Sequence, residues 1–146
     1  MVKTIKKNDV KFLMDFDYNN VLGRLKLVLG SEVSIFADVR VKHSDVNWYI
    51  PEGIEYIPLS ETNGELAKVG RERLMVILDN LRSKIKQDAL LGSHVDRILS
   101  YPSEDFVYFC QKNDEFSFVI TGWGCQLEHN LSAANVSKTQ EDVEDA

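Results

Sequence analysis

The chain has 146 residues, of which 44% are hydrophobic and 27% charged, the composition of one soluble globular domain with room for a sizeable core. Its net charge of −6 argues against a general phosphate-backbone binder, which clusters Lys and Arg. Two cysteines exclude a disulfide scaffold and make a reduced, cytoplasmic protein the default.

The first residues, MVKTIKKNDVK, have the basic start of a signal peptide. Asp15 and Asp17 then interrupt the apolar run, and no stretch reaches the ~18 apolar residues of a membrane span. VLGRLKLVLG follows, aligning Val21, Leu25 and Val28 as a helix or Leu25, Leu27 and Leu29 as a strand. Helix is favoured, because Gly30-Ser31 then makes a short turn into the next element.

EVSIFADVRVK alternates strictly, with Val33, Ile35, Ala37, Val39 and Val41 on one side and Ser34, Phe36, Asp38, Arg40 and Lys42 on the other. That is the period of a half-buried strand. His43-Ser44-Asp45 supplies a turn, VNWYI a second strand, Pro51 and Gly53 another turn, and IEYIPL a returning strand. Residues 32–59 are thus expected to form a three-stranded antiparallel meander, with Trp48 in the core and Tyr49 on the opposite face.

Thr62 and Glu65 fit a capping box opening a long helix. Leu66, Leu74, Ile77, Leu78, Leu81 and Ile85 share one stripe, opposite Glu72, Asp79, Ser83 and Lys86. Gly92 ends this helix, and Ser93 opens a short one stopped by Pro102. DFVYFCQK and EFSFVIT then make a hairpin around Asn113-Asp114. Its register pairs Gln111 with Phe116, Phe109 with Phe118 and Val107 with Ile120, an apolar face expected to meet the long helix. Residues 131–146, with four acids and one Lys, read as an acidic disordered tail or linker. The expected fold is α+β: residues 1–130 form a single domain with an antiparallel sheet of about five strands, the meander plus the hairpin, on one long amphipathic helix and shorter helices.

Chemistry is thinly signalled. Cys125 and His129 stand at C-x3-H spacing, but Cys110, His43 and His94 complete no second close pair, so a zinc site lacks its ligands. Cys125 as a nucleophile needs a nearby His and a lowered pKa, with Gly122 and Gly124 as possible oxyanion donors. The simpler reading is a plain thiol at a strand end. His43, Ser44 and Asp45 are adjacent and cannot converge as a triad. GELAKVG lacks the ending of a phosphate-binding loop. Trp123, between two glycines, either folds back over the open end of the sheet or stands as an interface anchor. In the second case Tyr49, Met75 and Val76 extend the surface, with Val69 nearby. The function expected is a non-enzymatic interaction or adaptor domain with a protein partner, alone, as the N-terminal module of a longer chain, or in an assembly. It requires no metal, cofactor, nucleic acid or membrane. The alternatives are a small-molecule or cysteine-dependent enzyme domain using Cys125, and an acidic inhibitor or decoy.

Overall fold

The computed structural model describes residues 1–13 and 17–127. The acidic segment 131–146 and His129 lie outside the described residues. In chain order the elements are β1 (Val2–Lys6), β2 (Val10–Phe12), α1 (Tyr18–Leu29), β3 (Asp38–Lys42), β4 (Asp45–Tyr49), β5 (Ile57–Pro58), α2 (Gly64–Lys86), α3 (Val95–Ile98), β6 (Val107–Lys112), β7 (Glu115–Ile120) and β8 (Cys125–Leu127).

The fold is mixed α+β with antiparallel sheets, but the strands divide into three sheets rather than one: β1-β4-β3, β2-β8 and β5-β6-β7. The expected meander is only half present. β3 and β4 pair as a hairpin, Val39 opposite Trp48 and Val41 opposite Val46. The third strand of that sheet comes from the N-terminus, where Lys3 lies opposite Trp48 and Ile5 opposite Val46. Residues after Gly53, whose φ is 86°, cross instead to β6, and Ile57 pairs with Phe109. Pro58 has no amide to give, so β5 ends there as an edge.

The segment expected to open the meander is also different. Gly30–Ile35 is a 3-10 turn, and Gly30, at φ 63°, gives its amide to the Lys26 carbonyl to end α1. Phe36 and Ala37 are both buried, which a strand covered on one face only does not allow. The reason is tertiary: Ala37 donates its amide to the Ile120 carbonyl at 3.1 Å, joining this stretch to β7.

α1 and α2 form where their periodicity predicts, except that Leu66 of the expected α2 stripe is exposed and Ala67 and Gly70 take the buried places in the first turns. α1 is capped by Asp17, whose Oδ1 accepts the Asn19 amide at 2.7 Å. α2 buries Ala67, Gly70, Leu74, Leu81 and Ile85, with Ile77 and Leu78 partly covered. The capping box does not form. Gly64, at φ 67°, swings the entry so that the Thr62 hydroxyl donates to the Leu59 carbonyl.

The β6–β7 register is the expected one, with Asn113 at φ 59° in the turn. Its apolar face meets α2. A Cβ on Gly70 would stand 3.3 Å from Leu59 and 3.8 Å from Phe116, so the glycine sets how closely helix and sheet approach. Phe109, Phe116 and Phe118 stack in series on this face, and Arg73 of α2 lies 5.2 Å over Phe116. Arg24 of α1 grips Asp88 just beyond α2 at 2.6–3.1 Å, tying the two helices together.

Candidate functional site

Two places bring together residues singled out in the sequence. The first is the Gly-Trp-Gly-Cys turn between β7 and β8. Gly122 and Gly124 adopt φ of 68° and 77°, and the double reversal drives Trp123 inward. Its side chain is 0% exposed. Tyr18, Phe36 and Trp48 enclose the indole at ring distances of 4.7, 5.3 and 6.1 Å, all edge-on. The indole N–H donates to the Ala37 carbonyl at 2.9 Å. Trp123 therefore is not presented to a partner. The flanking glycines turn the chain so that the ring is covered.

Cys125 is equally enclosed, at 0% exposure. Its sulfur lies 3.2 Å from the Tyr18 hydroxyl, which also lies 3.1 Å from the Trp123 carbonyl. A carbonyl only accepts, so the single hydroxyl proton goes to Trp123 and the thiol donates to the Tyr18 oxygen. Burial pushes the Cys125 thiol from 9.0 up to about 11, against the lowering effect of the Tyr18 contact. Desolvation first, then the neighbouring thiol, also pushes Tyr18 well above its ordinary value. At neutral pH Cys125 is a protonated, water-excluded thiol, the opposite of an activated nucleophile.

Two amides of the turn are committed as well. Gly124 donates to the Ser100 carbonyl at 2.7 Å and Cys125 to the Gly122 carbonyl at 3.1 Å, so neither of these two serves an oxyanion. Among the described residues no group of three or more His, Cys, Asp or Glu could hold a metal ion. No described helix is long and apolar enough to cross a membrane.

The second place is a surface groove of about 670 Å³ beside the end of β4. α1 supplies Leu22 and Lys26, the 3-10 turn Val33, the start of β3 Asp38, and the end of β4 with the residues after it Tyr49, Ile50 and Glu52. Val119 of β7 and the first two residues complete it. The floor is apolar. Tyr49 is partly exposed, with the Arg40 guanidinium 5.9 Å over its ring. The rim carries charge: Asp38 is exposed, and the Glu52 side chain is 90% exposed near the Met1 amine.

Of the expected anchors, only Tyr49 lies here. Met75 and Val76 are 61% and 69% exposed on α2, outside the groove and flanked by Glu72 and Asp79. Sequence reasoning missed Leu22, Val33 and Val119, because nothing local says that a helix, a turn and a strand from another sheet will meet. A second groove, about 850 Å³, is lined by Lys7, Arg40 and Lys42 with Asp17 and Tyr18.

No family model, no curated protein and no solved structure matches the chain.

Proposed function

We propose that the chain is a non-enzymatic interaction domain that holds an extended segment of a partner protein in the groove beside β4. The observation that carries this reading is the convergence of Tyr49, Ile50, Leu22, Val33 and Val119 from four separate segments on one open apolar floor. Apolar clefts with a few placed polar groups are where proteins take ligands. Here Glu52 already lies 3.6 Å from the Met1 amine and Lys26 adds a positive charge, so the exposed carboxylate of Asp38 favours a segment with apolar side chains and a Lys or Arg placed against it. A net charge of −6 supports a protein rather than a nucleic acid as partner. Two free thiols, one of them buried, suit a cytoplasmic setting.

The alternative of a Cys125-dependent activity draws no support from a sealed, protonated thiol. The acidic-decoy alternative works through a charged surface, and its most acidic stretch, residues 131–146, lies outside the described residues.

The test is selection of binders from a random peptide library, followed by amide chemical-shift mapping on the isotopically labelled chain. Shifts concentrated at Tyr49, Ile50, Val33 and Val119, weakened at least tenfold in affinity by Tyr49→Ala and by Asp38→Lys, support the reading. Binders that map elsewhere, or peptides indifferent to both substitutions, dispose of it.

A further inference from the structure

The sheet β1-β4-β3 has two outer edges, and its hydrogen bonds show which backbone groups each leaves open. Ile50 donates its amide to the Met1 carbonyl at 2.9 Å, and Lys7 donates to the Ser44 carbonyl at 2.7 Å. In an antiparallel ladder the bonding residues alternate, so Met1, Lys3, Ile5 and Lys7 face β4. Val2, Thr4 and Lys6 therefore direct their amides and carbonyls away from it. β1 has β4 as its sole strand neighbour among the described residues. It presents a five-residue edge with three consecutive outward-facing pairs of donor and acceptor.

From this edge we infer that β1 pairs antiparallel with β1 of a second copy of the chain, about a two-fold axis at Thr4, extending two three-stranded sheets into one. The sequence of the strand, VKTIK, is self-complementary in that register. Thr4 falls opposite Thr4, and Val2 opposite Lys6, as bonded pairs that use every outward group. Lys3 falls opposite Ile5 on the inner face. Within the strand no like charges stand opposite each other; beyond it the Met1 amine, already 3.6 Å from Glu52, falls opposite Lys7. A shift of two residues one way sets Lys3 against Lys3. The shift the other way leaves Val2 unpaired and sets Lys3 against Lys7.

Lysines on an edge commonly serve to repel other strands. Here both are already engaged within their own chain. The Lys3 ammonium lies 4.8 Å over the Phe106 ring, and the Lys6 ammonium lies 3.3 Å from Asp45.

The opposite edge does not offer the same fit. By the same alternation β3 leaves only Val39 and Val41 open, and pairing that uses both sets Arg40 against Arg40. The register that would set Arg40 against Asp38 needs the outward amide of Ala37, which is already given to Ile120. The two edges are distinguished by sequence and by prior hydrogen bonding.

A five-residue strand pair is a small interface, so association is expected on the order of 100 μM rather than nanomolar. This inference uses the backbone of β1, whose Val2 also lines the groove, but its test reads self-association and not peptide binding, so the two can fail separately.

Sedimentation equilibrium of the full chain tests it. The weight-average mass is expected to rise with concentration from 16.7 kDa toward twice that value. Thr4→Pro removes an amide that bonds nothing within the chain, so the fold is expected to persist while the mass stays monomeric. Val41→Pro, on the other edge, is expected to leave the dimer intact. A wild-type chain that stays monomeric to about 1 mM overturns the inference, as does a folded Thr4→Pro variant that still dimerises. Should Thr4→Pro lose its fold by circular dichroism, cross-linking decides. In a Cys110→Ser background, Thr4→Cys is expected to be bridged between chains by a short bis-thiosulfonate cross-linker, because bonded pairs lie about 5.5 Å apart at Cα, with Cβ atoms too far apart for a direct disulfide. Lys6→Cys, opposite Val2, is expected not to be. Equal cross-linking at both positions, or none at Thr4→Cys, refutes the register.

Discussion

The indole of Trp123 donates to the carbonyl of Ala37 at 2.9 Å across 86 residues of sequence, and this bond fastens the C-terminal turn to the entrance of β3. The neighbouring Trp48 is just as buried, yet its indole nitrogen has no hydrogen-bond partner among the described residues. The same substitution should therefore act differently at the two sites. Trp123→Phe strands a buried carbonyl, at about 1–3 kcal/mol beyond the lost packing. Trp48→Phe removes a donor that was already unsatisfied and loses packing alone. Urea unfolding of both variants should place Trp123→Phe below Trp48→Phe by about that margin. Equal losses would mean that the Ala37 bond contributes nothing net.

The thiol of Cys125 makes stability fall with alkaline pH. Its pKa rises from 9.0 to about 11 on folding, so between those values the unfolded chain has released a proton that the folded chain retains. Stability from this group is complete below pH 9.0 and is lost as pH rises through about 11. Two pKa units correspond to about 2–3 kcal/mol. Tyr18 moves in the same direction. In Tm against pH from 7 to 11, Cys125→Ala should start lower and decline less steeply than wild type. Parallel curves would remove the coupling between thiol and fold. With a thiol reagent at pH 8, partly exposed Cys110 should be modified first and Cys125 only on unfolding.

Local chemistry made part of this fold legible and left the rest hidden. The β6–β7 hairpin declares itself because alternation, turn residues and cross-strand aromatics all lie within residues 107–120. The stripe of α2 is likewise local. β1 does not declare itself: VKTIK has only two apolar residues, and its partner strand begins 39 residues after β1 ends. Phe36 shows the reverse failure, a residue whose alternation assigned it to solvent and whose contact with Trp123 took it inside. The glycines around Trp123 signalled an unusual backbone but not its direction. That direction depends on Tyr18, Phe36 and Trp48, each from a different segment. The groove was hidden for the same reason, and Tyr49 was found because its strand position could be read locally.

Gly122 is held in place by two neighbours. A Cβ there would lie 2.7 Å from a Phe106 ring carbon and 2.8 Å from Pro102 Cδ, at a φ of 68°. Left-handed strain of about 1–2 kcal/mol then adds to overpacking of about 1–3 kcal/mol. Gly122→Ala should destabilise by on the order of 3 kcal/mol. Gly23, with open space around its Cβ position inside α1, is the control. Gly23→Ala should stabilise by up to about 1 kcal/mol. Similar unfolding midpoints for the two variants would show that the close approach at Gly122 relaxes at little cost.

The pairing of Arg24 with Asp88 sets the acid limb of the stability profile. The guanidinium hydrogen bonds hold the Asp88 carboxyl below its ordinary value, helped by the amides of Leu90 and Leu91 and opposed by desolvation. A carboxylate whose pKa is depressed on folding stabilises fully above its unfolded pKa of about 3.9. That contribution is lost as pH falls through the folded value. Asp88→Asn should therefore lower Tm at pH 6, and the gap to wild type should close as pH drops below about 4. The Asp88 side chain is only 7% exposed, so 0.5 M salt should shrink the gap at pH 6 only in part, unlike a fully solvated pair. A gap that persists unchanged to pH 2 would mean that Asp88 acts through the shape of the α2 exit, where its backbone carbonyl accepts the Gly92 amide, and not through its charge.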